Sequence, residues 1–289
     1  MTTQNLQTPT LPVPQEAPAP FLKWAGGKGR LLDQILPHLP ETWGTYYEPF
    51  IGGGATFFNL RPEKAVISDV NERLIAAYLA IRDELPALVD RLDHLAARHS
   101  KDAYYRARER FNRGRGVSDL ERAALMIYLN KTCFNGLYRE NSRGEFNVPM
   151  GSYVNPSVYR LDNLSAVSAQ LQETDIRVAS FEHVLTNARA GDLVYFDPPY
   201  VPVSATSSFT SYVGAGFDLA MQQRLAEIFT ELAHRGCHVF LSNSDSDVVR
   251  ELYRGWRMET VRAGRGINSR ADRRGAVNEL LVIGQPRVR

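Results

Sequence analysis

With 289 residues, 34 Lys and Arg against 32 Asp and Glu, and a formal charge of +2, the chain is long enough to bury a sizeable core without covalent staples. Its two cysteines, Cys133 and Cys237, lie far apart and form no Cys-x-x-Cys pair, which excludes a disulfide framework and a cysteine-rich zinc site and points to a reducing, cytoplasmic setting. Nowhere do 18 apolar residues run together, so no membrane-spanning helix is expected.

Residues 1–20 hold five prolines and one acid with no Lys or Arg, which is no signal peptide and predicts a disordered tail. Residues 45–50 read as a strand, followed by the turn Gly52-Gly53-Gly54, a helix over 55–60 and a second strand over 65–69. Leu74, Ile75, Tyr78 and Leu79 recur at helical spacing within 71–81. Strand, helix, strand, helix is the opening of a doubly wound α/β sheet. Between about 85 and 170 the pattern changes to charged helices, including 119–129, and then to a polar, loop-rich piece over 141–153. This stretch reads as an inserted, mainly helical domain. The α/β pattern resumes with strands at 175–178 and 192–196, a helix over 219–235, and strands at 237–241 and 279–283. The expected organisation is thus a tail (1–20), a Rossmann-like domain (21–84 and 171–289) and an insert (85–170).

Charge is concentrated. Residues 98–143 contain eleven Lys and Arg against five acids, and residues 246–289 contain ten arginines against five acids. Such local excesses suit a polyanionic partner, although solvated helix faces can look the same.

Three motifs carry chemistry. The glycine turn after a strand brings backbone N–H groups close to a ligand, and Asp69, 17 residues beyond Gly52, has the offset of a ribose-binding acid. A nucleoside-type cofactor and simple packing both fit that turn. Asp197-Pro198-Pro199-Tyr200 follows the apolar run Leu193-Val194-Tyr195-Phe196, which puts it at a strand's carboxyl end, where open α/β sheets bind ligands. The tetrapeptide suits an exocyclic amine. Such a nitrogen is a poor nucleophile because its lone pair is delocalised, so both N–H bonds need acceptors. Asp197 supplies one and the Pro198 carbonyl the other, in a backbone restricted by consecutive prolines. Tyr200 offers an aromatic face for a base swung out of a duplex. A chain reversal after a strand is the plainer reading. The third motif, Phe21 to Lys28, puts an aromatic, two lysines and a double glycine in one short loop able to cover a cofactor.

Together with Glu48-Pro49-Phe50-Ile51-Gly52-Gly53-Gly54, Asp69-Val70-Asn71, the run from Tyr128 to Arg139 and Arg143-Gly144-Glu145-Phe146-Asn147-Val148-Pro149, these motifs resemble the Dam-type DNA adenine-N6 methyltransferases, in the family's order and over about residues 21–286. The resemblance implies transfer of methyl from S-adenosylmethionine to adenine N6 in double-stranded DNA, at GATC, with S-adenosylhomocysteine as product, no metal and no covalent enzyme intermediate. It implies that Trp24, Lys28, Phe50, Gly52, Asp69, Ser180, Phe181 and Asp197 hold the cofactor, and that Asp197, Pro198 and Tyr200 serve the acceptor. Lys23 and Arg139 are implied at guanine or neighbouring base edges, an Arg fork being bidentate to guanine. Phe134 is implied as a wedge beside the displaced base, Asn135 and Asn147 as DNA contacts, and Leu137 and Pro149 as apolar base contacts. Phe240 to Asp245 and Gly266 to Ser269 are implied near the active-site wall, and Ser204 to Tyr212 as a loop over the target. Ser152 stands where some relatives carry a basic residue. A monomer, working beside bacterial or phage DNA and possessing or lacking a companion nuclease, is the expected setting. Packing roles for Trp24 and Leu137 and a phosphate contact for Arg139 compete with these assignments. Methylation of another nitrogen, a DNA-binding protein without turnover and a nicotinamide-dependent oxidoreductase are the rival functions.

Overall fold

The structure is a computed structural model that describes residues 16–201, 217–263 and 277–285. The expectations for residues 1–15, 204–212 and 266–269 lie outside the described residues.

Among the described residues seven strands form one sheet: β1 (Tyr46–Glu48), β2 (Ala65–Asp69), β3 (Thr174–Val178), β4 (Leu193–Phe196), β5 (His238–Ser244), β6 (Arg257–Ala263) and β7 (Val277–Gly284). Their order is β3-β2-β1-β4-β5-β7-β6. β1 to β5 run parallel, and β7 inserts antiparallel between β5 and β6. The central strands are buried on both faces, as a parallel sheet covered by helices requires, and β4 shows the alternation directly. Leu193 and Tyr195 enter the core on one face, while Val194 and Phe196 enter the core on the other. Strand order reverses between β1 and β4, so the ligand crevice of this topology opens at their carboxyl ends. Those ends carry the Phe50–Gly54 turn and Asp197.

Ten α-helices cover the sheet among the described residues: α1 (Leu32–Ile35), α2 (Ala55–Leu60), α3 (Glu72–Asp83), α4 (Leu85–Ala97), α5 (Lys101–Arg113), α6 (Asp119–Thr132), α7 (Leu161–Leu171), α8 (Val184–Asn187), α9 (Leu219–Arg235) and α10 (Asp247–Leu252). Side-chain caps fix several starts: Asn71, Ser100, Ser118, Asp218 and Ser246 each accept a backbone N–H from the first turn. α9 stops at Gly236, whose left-handed φ of 97° satisfies the end of the helix. None of these helices is long and apolar enough to cross a membrane.

The helices expected to form an insert share a core with the sheet. Tyr78 of α3, Tyr104 and Phe111 of α5, Tyr128 of α6, and Phe146 belong to one buried cluster with Tyr46 and Tyr195. α7 lies inside the expected insert boundaries, yet it packs on α3 and leads into β3, which makes it the crossover helix between β2 and β3. The tail expectation also needs correction at its end. The Ala19 N–H donates to Asn163 Oδ1 at 2.9 Å, Asn163 Nδ2 donates back to the Ala19 carbonyl at 3.0 Å, and Glu16 pairs with Arg160. Residues 16–20 are therefore tied to α7, because one asparagine satisfies both main-chain groups of an otherwise unpaired residue.

Candidate active site

The turn after β1 is shaped by what cannot fit there. Gly52 has φ of 46°, and a Cβ on it would lie 2.7 Å from the Trp24 ring. Its carbonyl accepts from the Tyr78 hydroxyl at 3.0 Å, and its N–H faces Asp69 Oδ2 at 3.3 Å. Asp69 also accepts the Asn71 N–H at 3.0 Å. Burial raises the Asp69 carboxyl, and the N–H groups of Asn71 and Gly52 oppose that rise.

A cavity of about 900 Å³ opens from this turn across to β4, a size that suits a nucleoside-bearing ligand. Trp24, Lys28, Phe50, Gly52, Asp69, Ser180, Phe181 and Asp197, the residues expected to hold a cofactor, all line it. Phe50 stacks on Phe181 with centroids 5.4 Å apart, and Phe217 meets Phe50 edge-on at 5.5 Å, which makes an apolar wall. Trp24 stacks on Tyr138 at 5.0 Å. Ser180 Oγ caps the short turn that presents Phe181. A carboxylate for two hydroxyls, an aromatic wall for a purine and a glycine cradle that a Cβ would fill together fit S-adenosylmethionine.

At the far end of the cavity Lys28, buried despite its charge, places Nζ 2.7 Å from Asp197 Oδ1, 2.7 Å from the Gly26 carbonyl and 4.7 Å from the Tyr200 ring centroid. The ammonium is an N–H donor held by a carboxylate, a carbonyl and an aromatic face, so the pocket is shaped to receive nitrogen. Burial raises the Asp197 carboxyl and Lys28 opposes the rise. Around it the tetrapeptide is pinned: Gln222 Nε2 donates to the Pro199 carbonyl at 2.9 Å, Asn243 Nδ2 to Gln222 Oε1 at 3.2 Å, and the Val201 N–H to Asn243 Oδ1 at 3.3 Å. No donor among the described residues reaches the Pro198 carbonyl. The Tyr200 hydroxyl donates to Glu279 Oε2 at 2.6 Å, which fixes the plane of its ring. Beneath Asp197 lies the fully buried Glu48, which accepts from the Tyr46 hydroxyl at 2.7 Å. Burial pushes its carboxyl up to about 8, with the Tyr46 hydrogen bond working against that and the neighbouring Asp197 adding to it.

The residues expected on DNA gather around a hairpin closed by bridges Cys133↔Met150 and Glu140↔Phe146. α5 holds it, since Tyr104 and Arg108 both donate to the Val148 carbonyl and Asn112 takes the N–H and the carbonyl of Phe146. Phe134, Asn135, Arg139 and Pro149 are exposed, and Phe134 keeps 53% of its surface in solvent. Asn135 adopts φ of 56°. Arg139 lines the cavity mouth, and its Nε donates to Asn147 Oδ1 at 2.8 Å. Leu137, expected as an apolar base contact with packing as the alternative, is half-buried against the core. Lys23 is exposed outside the cavity, with its ammonium 5.6 Å from the Tyr153 centroid.

Several residues were invisible as functional in the sequence. Gln222 sits within an ordinary helix and Glu279 joins Tyr200 across 79 positions, whereas Asn243 lies in the Phe240 to Asp245 segment that the resemblance puts near the active-site wall. Arg73 braces the hairpin through Glu140 and the Gly144 carbonyl. Glu48 carries a signal as well, as the charged residue that ends an otherwise apolar strand.

A nucleoside-sized cavity that opens onto a nitrogen-receiving carboxylate, at the switch point of a parallel sheet, defines a class: α/β transferases that deliver a group from a nucleoside cofactor to an amine. The family model described as D12 class N6 adenine-specific DNA methyltransferase matches residues 24–267, and the chain belongs to that family. It is 42% identical over 267 residues to the type II methyltransferase M1.LlaDCHI of Lactococcus lactis subsp. cremoris, covering 91% of this chain and 94% of the relative. It is 41% identical over 283 residues to the type II methyltransferase M.MjaIII of Methanocaldococcus jannaschii, covering 91% and 98%. Against the DNA adenine methylase of Escherichia coli K12 the identity is 37% over 270 residues, covering 93% and 96%. The chain is thus a DNA methyltransferase that acts on adenine N6.

Proposed function

We propose that the enzyme methylates the adenine of GATC in double-stranded DNA, using S-adenosylmethionine, and that Asp197 and Tyr200 receive the flipped base. The observation that carries this reading is the buried Lys28 ammonium between Asp197, the Gly26 carbonyl and the Tyr200 ring. An adenine amine has the same need for N–H acceptors beside an aromatic face. S-adenosylmethionine supplies an electrophilic methyl group when bound. Asp69 takes the ribose hydroxyls, Phe50 and Phe181 flank the purine, and Trp24 and the Gly52 turn close the opposite wall. Lys28 withdraws from Asp197 as the base enters. Asp197 then accepts one N–H of the amine and the Pro198 carbonyl the other, which draws the nitrogen lone pair out of conjugation and aims it in line. The pinned tetrapeptide keeps these acceptors fixed during transfer.

The GATC assignment rests on the resemblance of the run from Phe134 to Pro149 to GATC-reading members, with Arg139 and Lys23 at the guanines.

The test is transfer of labelled methyl from S-adenosylmethionine to duplexes that contain GATC or a one-base variant of it, with N6-methyladenine as the product analysed. GATC duplexes are expected to be labelled preferentially, and equal labelling of both removes the site assignment. Asp197→Ala is expected to lose about 10²–10³-fold in kcat while it still binds S-adenosylhomocysteine. Near-normal turnover in that variant rules out amine positioning by Asp197.

A further inference from the structure

Asn130 sits on the inner face of α6, fully buried, and neither the cofactor nor DNA can touch it. Its amide nevertheless joins the two halves of the machinery. Oδ1 accepts the Lys23 N–H at 2.8 Å, and Nδ2 donates to the Lys23 carbonyl at 2.8 Å and to the Gly136 carbonyl at 3.2 Å. Lys23 opens the loop that continues through Trp24 to Lys28. Gly136 lies in the turn at the base of the recognition hairpin, beside the Cys133↔Met150 bridge and between Phe134 and Arg139.

The grip on Lys23 takes both main-chain groups of one residue, as a neighbouring strand would, and so holds its backbone extended. Two other asparagines, Asn163 on Ala19 and Asn112 on Phe146, use the same two-sided grip. Asn130 differs because its third bond reaches a second segment. Two further contacts join the same pair of segments. Gly136 has φ of 66°, and a Cβ on it would lie 2.2 Å from Lys23 Cδ, so the lysine side chain is seated on the hairpin backbone. Trp24 stacks on Tyr138. The cofactor loop and the hairpin are thereby one mechanical unit whose hinge pin is a buried amide.

We propose that Asn130 is a positioning residue that couples occupancy of the cofactor cavity to reading of the DNA site. The inference rests on the assignments of Trp24 to Lys28 and of Phe134 to Arg139 made above. A ligand that orders the Trp24–Lys28 loop orders Lys23, and through Asn130 it orders the Phe134–Arg139 segment. By reciprocity, a cognate duplex that fixes this segment tightens the cofactor wall by the same factor. The coupling resides in one donor group, because the Nδ2 atom faces two carbonyls.

Asn130→Asp keeps the acceptor for the Lys23 N–H and turns the donor into an oxygen that repels both carbonyls. Gly136→Ala disturbs the same junction from the hairpin side and leaves α6 intact. The measurement is S-adenosylhomocysteine affinity by titration calorimetry, without duplex, with a GATC duplex and with a one-base variant, beside relative kcat/KM on the two duplexes. The wild-type enzyme is expected to bind S-adenosylhomocysteine more tightly with the GATC duplex, by a factor within the usual range of about 5–150-fold, and much less so with the variant duplex. In both substituted enzymes that factor is expected to fall towards one and discrimination in kcat/KM to narrow, while affinity without DNA changes little. A wild-type factor of one overturns the proposal. So does a folded Asn130→Asp or Gly136→Ala enzyme with the wild-type factor and discrimination. Should Asn130→Asp fail to fold, Gly136→Ala decides alone. Failure of the underlying assignments looks different: the wild-type enzyme itself would bind no S-adenosylhomocysteine or methylate both duplexes alike.

Discussion

Glu48 is fully buried against Asp197, and its carboxyl is raised from 4.5 to about 8, chiefly by burial. In the unfolded chain the group loses its proton near 4.5, whereas in the folded protein it keeps the proton up to about 8. Between those values folding must take up a proton, so stability falls as pH rises through this window and the full cost applies above it. Glu48→Gln keeps an acceptor for the Tyr46 hydroxyl and removes the titration. Its stability is expected to match the wild type near pH ~5 and to exceed it at pH ~8.5 by a few kcal/mol, on the order of 1.4 kcal/mol for each tenfold step of proton affinity. Denaturant unfolding at several pH values measures this, and parallel profiles for the two proteins would contradict it. A neutral Glu48 also spares Asp197 a second negative charge at neutral pH, which explains how a carboxyl is tolerated beneath an acceptor.

At the scale of elements, the turn between β1 and α2 does two jobs that pull on the same glycine. Gly52 must take a left-handed φ to bring its N–H beside Asp69, and it must leave room for the Trp24 ring. Gly52→Ala is therefore expected to weaken S-adenosylhomocysteine binding by about 1–3 kcal/mol. Gly116→Ala is the control. It has a similar φ of 66° with nothing within 4 Å of the added Cβ, so it is expected to cost stability and leave ligand affinity alone. Equal loss of affinity in both would show that strain, and not occlusion, sets the effect. How much of this could be read in advance depended on the element. The run Leu193-Val194-Tyr195-Phe196 marked β4 because a strand buried on both faces needs no polar alternation, and that placed Asp197 correctly at a strand end. β6 is illegible in the sequence because it is an edge strand with Arg257, Glu259 and Arg262 spaced along it, charges that suit a loop until β7 pairs with it. The sequence boundary at 170 assigns α7 to the insert, because its packing on α3 is set by tertiary contacts that helical spacing does not show. The neutral state of Glu48 and the reach of Asn130 were illegible for another reason: each depends on segments that meet only in three dimensions.

For the whole molecule, the cations of the two basic stretches divide into those paired with acids and those left without an acid partner among the described residues. Towards the C-terminus, Arg250, Arg254 and Arg257 are each paired with a nearby acid, and Arg262 has no acid partner among the described residues. In the stretch over 98–143, Arg110, Arg113, Arg122 and Arg143 are paired in the same way. Arg98, Lys101, Arg106, Arg108, Arg115, Lys131 and Arg139 have no acid partner among the described residues, and they lie on α5, α6, the adjoining turns and the hairpin to which the proposed DNA contacts belong. Lys131 ends α6 beside Lys23, and burial followed by the Lys23 charge lowers its pKa. A cation held against that cost gains from a phosphate placed beside it. Binding of any duplex is thus expected to weaken steeply with salt. Lys131→Gln is expected to lower the slope of log affinity against log salt by about 0.9, the counterion equivalent of one phosphate, and to do so equally for GATC and variant duplexes. Arg139→Ala is expected to do the opposite: discrimination falls by about 1–3 kcal/mol while the affinity for the variant duplex and its salt slope hold. Fluorescence anisotropy over a range of salt concentrations separates the two. If Lys131→Gln changed discrimination and left the slope intact, the division between a cation that grips phosphate and an arginine that reads bases would have to be reversed.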